Sequence, residues 1–375
     1  MKLTLQLKLL PTPEQAEALL DTMRRYNEAA TFAAEQGFAA GVFSAPSIQK
    51  LAYRECRDCW DLSAQMAVRA IGKAAECFSR DKTVCPVFRP TGAMTYDERI
   101  LSFKDCHRVS ILTVKAGRLM IPYVFGEYQS ANLARIRGQC DLVYRDGMFF
   151  LYCTIEFQEA PPVKVGDFLG VDMGIVRLAV DSDGEVHSGE QVEKVRRRFA
   201  KTRKKLQRKG TKSSKRILQR IRRREARFRQ HVNHVISKHL VASAQGTSRG
   251  IAVEDLNGIR SRCTVRRRDR AKHSGWAFFQ LRAFIEYKAK REGIPVVAVD
   301  PRNTSRTCSE CGHCDKANRK SQESFVCQHC GFSTLADYNA ACNIRKLGQQ
   351  VSLPHKQRPV RLPLTTGQPQ KAAGL

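Results

Sequence analysis

The chain has 375 residues, and its 65 Lys and Arg against 36 Asp and Glu give a net charge of +29, which points to a polyanionic partner, nucleic acid ahead of an anionic membrane surface. That length supports two or three domains, and no run of eighteen apolar residues occurs that could cross a bilayer. Fourteen cysteines in a large chain without a secretion signal predict reduced thiols and metal ligands rather than disulfides, and hence the cytoplasm.

Residues 2–10 alternate Leu3, Leu5, Leu7 and Leu9, the period of a strand rather than of a signal-peptide core, and Pro11 and Pro13 end it. From 13 to 80 the spacing turns helical, as in Ala30, Ala33, Ala34 and in Leu62, Met66, Ala70. Gln65, Arg69 and Lys73 share one face there at i, i+4, i+8. Gln and Arg can read adenine and guanine edges, although a polar stripe on an ordinary helix is the commoner reading. Cys56-x2-Cys59, with Cys77 and Cys85 beyond, is a second metal candidate, against the commoner reading of small helix residues in a core. Turn residues crowd 88–98. Several alternating segments follow over 99–158, with Ala116-Gly117 and Asp146-Gly147 as hairpin turns. The predicted architecture is a β-barrel made of strand 1–12 and residues 91–162, with 13–90 as a helical insertion and Pro161-Pro162 as the boundary.

FLGVDMG, VRLAVDSDG and EVHSG then read as three strands. A basic helical stretch, the strand GIAVEDL, an amphipathic helix over 276–292 and a strand over 294–300 come next. This order predicts an RNase H-like α/β layer, in two parts, 163–303 and 334–350, with the last helix at about 336–347. The tail 351–375 carries Pro354, Pro359, Pro363 and Pro369 without apolar period and is expected to be disordered. Residues 194–230 hold nineteen Lys and Arg and one acid. Leu206, Ile217, Ile221, Phe228, Val232 and Val235 form a narrow apolar stripe. So dense a charge run repels itself unless a polyanion lies beside it. Arg196, Arg197, Arg203, Lys204, Arg222, Arg223 and Arg224 are the candidate contacts, following phosphates without reading sequence.

Two constellations carry chemistry. Cys308-x2-Cys311, fifteen residues, then Cys327-x2-Cys330 has the spacing of a four-thiolate zinc ribbon over 304–333, with Gly312 and Gly331 turning each knuckle. Cys314 and His329 are worse-spaced competitors, and Phe325 and Phe332 read as its small core. The second constellation is acidic: Asp172 in GVDMGI, Glu254 in AVEDLNG and Asp337 in LADYNAACNI. Carboxylates at strand and helix ends can hold the divalent ions, Mg2+ or Mn2+, that phosphodiester cleavage needs. A lone acid at a strand end is usually a turn or cap residue, as Asp181, Asp183, Asp255 and Asp300 are expected to be.

The wording around the trio goes further. GVDMG, VEDLN and ADYNAACNI resemble the three acidic motifs of RuvC-like nucleases in the TnpB family, transposon-encoded RNA-guided DNA endonucleases ancestral to type V CRISPR effectors. KLLPTPEQ, LSAQMAVRAI, FRPTGAMTYDERI, LVYRDGMFFL and TSRTCSECG are similar to that family's sequence as well, so the resemblance covers about 1–350. It implies that Asp172, Glu254 and Asp337 are the catalytic metal ligands and that the ribbon, whose four-thiolate zinc has no open position and is structural, contacts target nucleic acid beside the active site. It implies a guide RNA and a target DNA as partners, a reader for a short flanking motif, and a prokaryotic, nucleoid-associated protein; a monomer is expected. Met173 stands where the family commonly has Leu, without chemical consequence. Two alternatives stay open: an RNase H-fold transposase that joins DNA ends, and a non-cleaving RNA-guided repressor or zinc-ribbon regulator. The intact acids speak against the second, the inserted ribbon against the first.

Overall fold

In the computed structural model, which describes residues 1–105, 107–256 and 278–352, the chain divides after Gln158 into two units. In the first, strand β1 (Lys2–Leu9) buries Leu5, Leu7 and Leu9 and exposes Lys2, Thr4 and Gln6, as a half-buried strand must. Helices α1 (Pro13–Ala39), α2 (Ala45–Asp58) and α3 (Ala64–Phe78) follow, N-capped by Thr12 (in a capping box with Gln15), Ser44 and Ser63. Strands β2 (Met94–Tyr96), β3 (Leu101–Phe103), β4 (Arg108–Thr113) and β5 (Gly117–Val124) come next. A single turn, α4 (Glu127–Ser130), leads to β6 (Ile136–Arg145) and β7 (Met148–Glu156). Asp146 and Gly147 both have left-handed φ, 53° and 79°, as a two-residue hairpin loop requires.

The seven strands run β2-β6-β7-β1-β5-β4-β3. The expected barrel is nearly closed rather than closed. Edge strands β2 and β3 are consecutive in the chain, joined by a tight turn in which Ile100 and Leu101 both donate to the Asp97 carbonyl. Each edge has three residues, and no ladder joins them among the described residues. Tyr96 Oη instead donates to the Leu112 carbonyl at 3.1 Å. Sheet and helices share one core, in which Leu7, Tyr96 and Leu151 meet Met23, Tyr26 and Met66.

The second unit starts with β8 (Phe168–Asp172), β9 (Arg177–Asp181) and β10 (Val186–Ser188). Helices α5 (Glu190–Lys209), α6 (Lys212–Ile221) and α7 (Arg224–Gly246) lead to β11 (Gly250–Glu254). Then come α8 (Phe278–Arg291), β12 (Val296–Val299), the short hairpin β13 (Ser324–Val326) and β14 (Ser333–Leu335), and α9 (Ala336–Ser352). The main sheet runs β10-β9-β8-β11-β12. Strands β8, β11 and β12 are mutually parallel, and β9 is antiparallel to β8.

Alternation along the central strands decides which residue meets which helix. Leu169, Val171, Ile251 and Val253 pack with α7 and α8. Phe168 and Ala252 point the other way, to Ile344 of α9. Gly170 lets α9 in, because a Cβ there would clash with the Ala341 carbonyl oxygen and the Arg345 amide.

The basic stretch is not one helix. Gly210, left-handed at φ 65°, ends α5, Thr211 caps α6, and Arg222 and Arg223 lie at the break before α7. The break resets the helical phase. The buried side of α7 is Asn233, Ile236, Ser237, Leu240, Val241 and Ala244, while Val235 and Ile217 of the expected stripe are exposed. The last helix runs on through Val351 and Ser352, which the sequence placed in a disordered tail. Residues 353–375, positions 276 and 277 of the expected amphipathic helix, and the end of AVEDLNG lie outside the described residues.

Candidate active site

Asp172 and Glu254 end neighbouring parallel strands one step beyond the Val171–Val253 register pair. Val171 and Val253 face α7 and α8, so by alternation both acids face α9. Asp337 stands in the first turn of α9, where a helix N-terminus favours negative charge. The sequence motifs, far apart in the chain, therefore meet at one end of the sheet. Burial, then the charges of Glu254 and Asp337, raise the Asp172 carboxyl well above the ordinary range, and the Arg319 cation works against them. Burial raises Glu254 too, opposed by its hydrogen bond from Thr304 and by Arg319.

Three residues absent from the sequence reading hold this centre. Thr304 Oγ1 donates to Glu254 Oε1 at 2.6 Å. Arg177 Nη1 lies 3.0 Å from Asp337 Oδ2, and Arg319 Nη2 lies 3.8 Å from Asp337 Oδ1. Facing carboxylates are the donor type that a hard divalent cation takes, and here Arg177 and Arg319 balance part of their charge at Asp337. Among the described residues, the trio is not one of the groups whose donor atoms all lie within 4.8 Å of one another. The other acids have structural partners. Asp183 pairs with Arg249, Asp255 with Arg282 at 3.0 Å, Asp181 accepts from the amides of Asp183 and Glu185, and Asp300 accepts from the Arg302 amide.

The sulfurs of Cys308, Cys311, Cys327 and Cys330 do lie within 4.8 Å of one another. Cys308 and Cys330 are 3.7 Å apart and Cys311 and Cys327 3.6 Å. A tetrahedron with metal–sulfur bonds of about 2.3 Å has edges of about 3.8 Å, so the four thiols can hold one metal ion. The knuckles repeat: Gly312 and Gly331, left-handed at φ 79° and 77°, donate to the carbonyls of Cys308 and Cys327. Phe325 is buried with Cys308 and Cys327, and Phe332 packs on them. Cys314 is exposed and stands outside the cluster. Helix α9 ties this ribbon to the acids. Asn339 Nδ2 donates to the Thr307 carbonyl at 2.8 Å and Asn339 Oδ1 accepts from the Ser309 amide at 2.9 Å. Asn343 Nδ2 donates to the carbonyls of Thr304 and Thr307. Asp337, Asn339 and Asn343 thus give ADYNAACN a double task, one acid for the centre and two amides for the ribbon.

The remaining candidates divide. Gln65, Arg69 and Lys73 share a face of α3 but turn inward. Gln65 Nε2 and Arg69 both bond Asp97, with Arg69 Nη2 at 2.6 Å. Lys73 Nζ donates to Asn27 Oδ1 and to the Ala93 carbonyl, each at 2.6 Å, and burial pulls its ammonium down to about 8. They are partly buried and committed to the chain's own turn at 88–99, not an open polar stripe. Cys56 is buried, its thiol pushed up to about 12 by burial, and Cys59 is exposed. Neither belongs to a cluster of metal-binding groups among the described residues. Of the basic residues, Arg196 and Arg197 pair with Glu193 and Arg203 with Glu225 at 2.7 Å. Lys204, Arg222, Arg223 and Arg224 are exposed.

The family model described as "Probable transposase" matches residues 152–258, and the one described as "Cas12f1-like, TNB domain" matches 278–344. The chain is 32% identical over 261 residues to a CRISPR-associated endodeoxyribonuclease Cas12f1 of Sulfoacidibacillus thermotolerans, covering 63% of this chain and 58% of that one. It is 26% identical to the Escherichia coli K12 protein named "Putative RNA-guided DNA endonuclease InsQ", covering 76% and 74%. It is 32% identical to a TnpB-like protein, MJ0751, of Methanocaldococcus jannaschii, covering 46% and 64%. The chain spans about half the length of the Cas12f1 relatives it matches. Among solved structures, the protein of a Cas12f1–sgRNA–target DNA complex superposes with a TM-score of 0.61 at 14% identity, covering 94% of this chain and 99% of that one. The mini-RNA-guided endonuclease CRISPR-Cas_phi3 gives 0.57 at 9% identity, covering 94% and 93%. At such identities these two likenesses speak for the fold alone.

Proposed function

This chain belongs to the TnpB family, and from that premise we propose that it is an RNA-guided, metal-dependent DNA endonuclease. The observation that carries the reading is the meeting of Asp172, Glu254 and Asp337 on the α9 face, at the end of parallel β8 and β11. The second unit is then a RuvC-like nuclease domain over 163–303 and 334–350, with the ribbon 304–333 inserted before its last helix. The first unit, which ends at Gln158 rather than at the expected Pro161-Pro162 boundary, is a barrel-like domain with 13–90 as its helical insertion.

Asp172, Glu254 and Asp337 would hold Mg2+ or Mn2+, whose chemistry when bound is to polarise the phosphodiester and to activate water. The chain's own residues prepare that place. Thr304 orients Glu254 through one hydrogen bond. Arg177 and Arg319 hold Asp337 and put positive charge beside the path of a phosphate backbone. The four thiolates would hold structural Zn2+, which keeps no open position and takes no part in the reaction. The basic helices would track the backbones of a guide RNA and target DNA, with base pairing reading the sequence. Gln65, Arg69 and Lys73 could read a flanking motif only after giving up Asp97 and Asn27, so we place them in the support of that domain. Localisation with the nucleoid would follow from the substrate; no helix among the described residues is long and apolar enough to cross a membrane.

The test is programmed cleavage of duplex DNA in Mg2+, with RNA binding titrated in parallel. Asp172→Ala, Glu254→Ala and Asp337→Ala should each abolish cutting and leave RNA binding near wild type, because each removes a ligand and no cationic surface. Full cutting by all three would overturn the site. The "Probable transposase" description of residues 152–258 favours one second reading, end joining without a guide. Strand transfer on element ends by RNA-free protein would establish it in place of the first.

A further inference from the structure

On the opposite face of the nuclease-like sheet, three metal-ligating side chains converge that the reading above does not use. Glu185 lies in the turn between β9 and β10, and His187 lies on β10, the edge strand of the sheet. His187 pairs in register with Ala179, whose side chain belongs to the core under α7 and α8, so His187 faces α7. His239 comes from α7, next to the buried Leu240. Glu185 Oε2 is 3.1 Å from His239 Nδ1, and Glu185 Oε1 is 3.8 Å from His187 Nε2. The three donor atoms lie within 4.8 Å of one another.

The second observation is an orphan. His187 Nε2 is buried and has no hydrogen-bond partner, although a buried polar atom ordinarily costs free energy unless it is paired. At 3.8 Å the His187 nitrogen and the Glu185 oxygen are too far apart for a hydrogen bond, but both can bind one cation placed between them. Glu185 and His239 are exposed on their outer sides, 43% and 57%, which leaves room for water to complete a coordination sphere. Two imidazoles and one carboxylate suit borderline ions of the zinc class, with an open position. Mg2+ prefers an all-oxygen shell.

We propose that Glu185, His187 and His239 bind a divalent transition-metal ion of the zinc class, clipping edge strand β10 to α7. The proposal is independent of the endonuclease reading. It differs from the ribbon in its ligands and from the acidic trio in its face of the sheet. The alternative is a Glu185–His239 ion pair with His187 as a neutral neighbour and no ion.

Full-length protein that keeps its ribbon zinc, in excess Mg2+ to fill the acidic centre, is titrated with Co2+ and followed by visible absorption and calorimetry. Wild type should take up one Co2+ with ligand-field bands and without the intense sulfur-to-cobalt band. His239→Gln, on an exposed side chain that folding can spare, should weaken that uptake by about tenfold or more, as loss of a ligand or its support does. His187→Gln and Glu185→Gln should do the same. Co2+ should also raise the melting temperature of wild type and not of His239→Gln, since binding to the folded state alone stabilises it. Superimposable isotherms for wild type and His239→Gln would overturn the proposal. So would no Co2+ uptake by wild type, or uptake abolished by Asp172→Asn and untouched by His239→Gln.

Discussion

Thr304 Oγ1 donates a 2.6 Å hydrogen bond to Glu254 Oε1, joining the carboxylate at the end of β11 to the first turn of the cysteine ribbon. The same Thr304 carbonyl accepts from Asn343 of α9. Ribbon, sheet and last helix therefore meet at one threonine, and the position of Glu254 depends on all three. A hydrogen bond to a charged group contributes roughly 1.5–3 kcal/mol, which is about ten- to a hundredfold in rate if it is needed in the transition state. Thr304→Val should lower the cleavage rate by about that factor, and Thr304→Ser should restore most of it. Single-turnover cleavage in saturating Mg2+ measures this, with zinc content as the control for an intact ribbon. An unchanged rate in Thr304→Val would remove the threonine from the site.

The acidic centre also predicts how stability depends on pH. In the unfolded chain Asp172 ionises in the ordinary carboxylate range. In the folded, Mg2+-free chain burial and the facing charges of Glu254 and Asp337 hold its proton to higher pH. Between those limits the folded state binds the extra proton, so its stability falls as pH rises through the window. Asp172→Asn should therefore raise the melting temperature at neutral pH in Mg2+-free buffer while cleavage is lost. The gap from wild type should close as pH falls toward the ordinary range, where both carry a neutral side chain. Added Mg2+ should stabilise wild type and leave the variant behind. A lower melting temperature for Asp172→Asn at neutral pH would show that the three carboxylates do not repel one another.

Much of this centre was legible because strands announce their ends. An apolar run closing on Asp172 or Glu254 puts the acid one step past a buried valine, and period-2 alternation then assigns its face. The cysteine spacing announced the four-sulfur cluster in the same local way. Thr304, Arg177 and Arg319 were not legible, since each acts through a tertiary contact that leaves no period in the sequence. Gln65, Arg69 and Lys73 show the reverse: their helical spacing was right, but the partner that turns Gln65 and Arg69 inward, Asp97, comes from a turn about thirty residues on. In the basic stretch, Gly210-Thr211 was a readable stop and restart, and the uniform charge concealed it.

The ribbon makes a prediction of its own. Freshly purified protein should carry a tightly bound ribbon zinc, and elemental analysis of the purified variants should show one zinc fewer than wild type when Cys308 or Cys327 becomes Ser. Zinc binding supplies folding free energy to such a module, so protease sensitivity around 304–333 should rise in the variants. The damage should spread to cleavage, because Asn339 and Asn343 link the ribbon to the helix that carries Asp337. Purified wild type without zinc would contradict the assignment of the four thiols.

Arg222, Arg223 and Arg224 are exposed at the junction of α6 and α7, within a segment of nineteen cationic residues and one acid. If each meets a phosphate, replacing the three together with Gln should weaken guide RNA or target binding. The slope of log affinity against log salt should fall by about 2–3, since each contact contributes roughly 0.7–0.9. The loss should be the same for unrelated guide sequences, because phosphates carry no sequence information. Arg196, Arg197 and Arg203 provide an internal contrast. Arg196 and Arg203 are half-buried against Glu193 and Glu225, so the same triple replacement there should change the slope less. Filter-binding or fluorescence titrations over a salt series give both slopes. Wild-type affinity and slope in the Arg222–Arg224 variant would show that the junction faces solvent in the complex, and the basic helices would lose their assignment as the nucleic-acid groove.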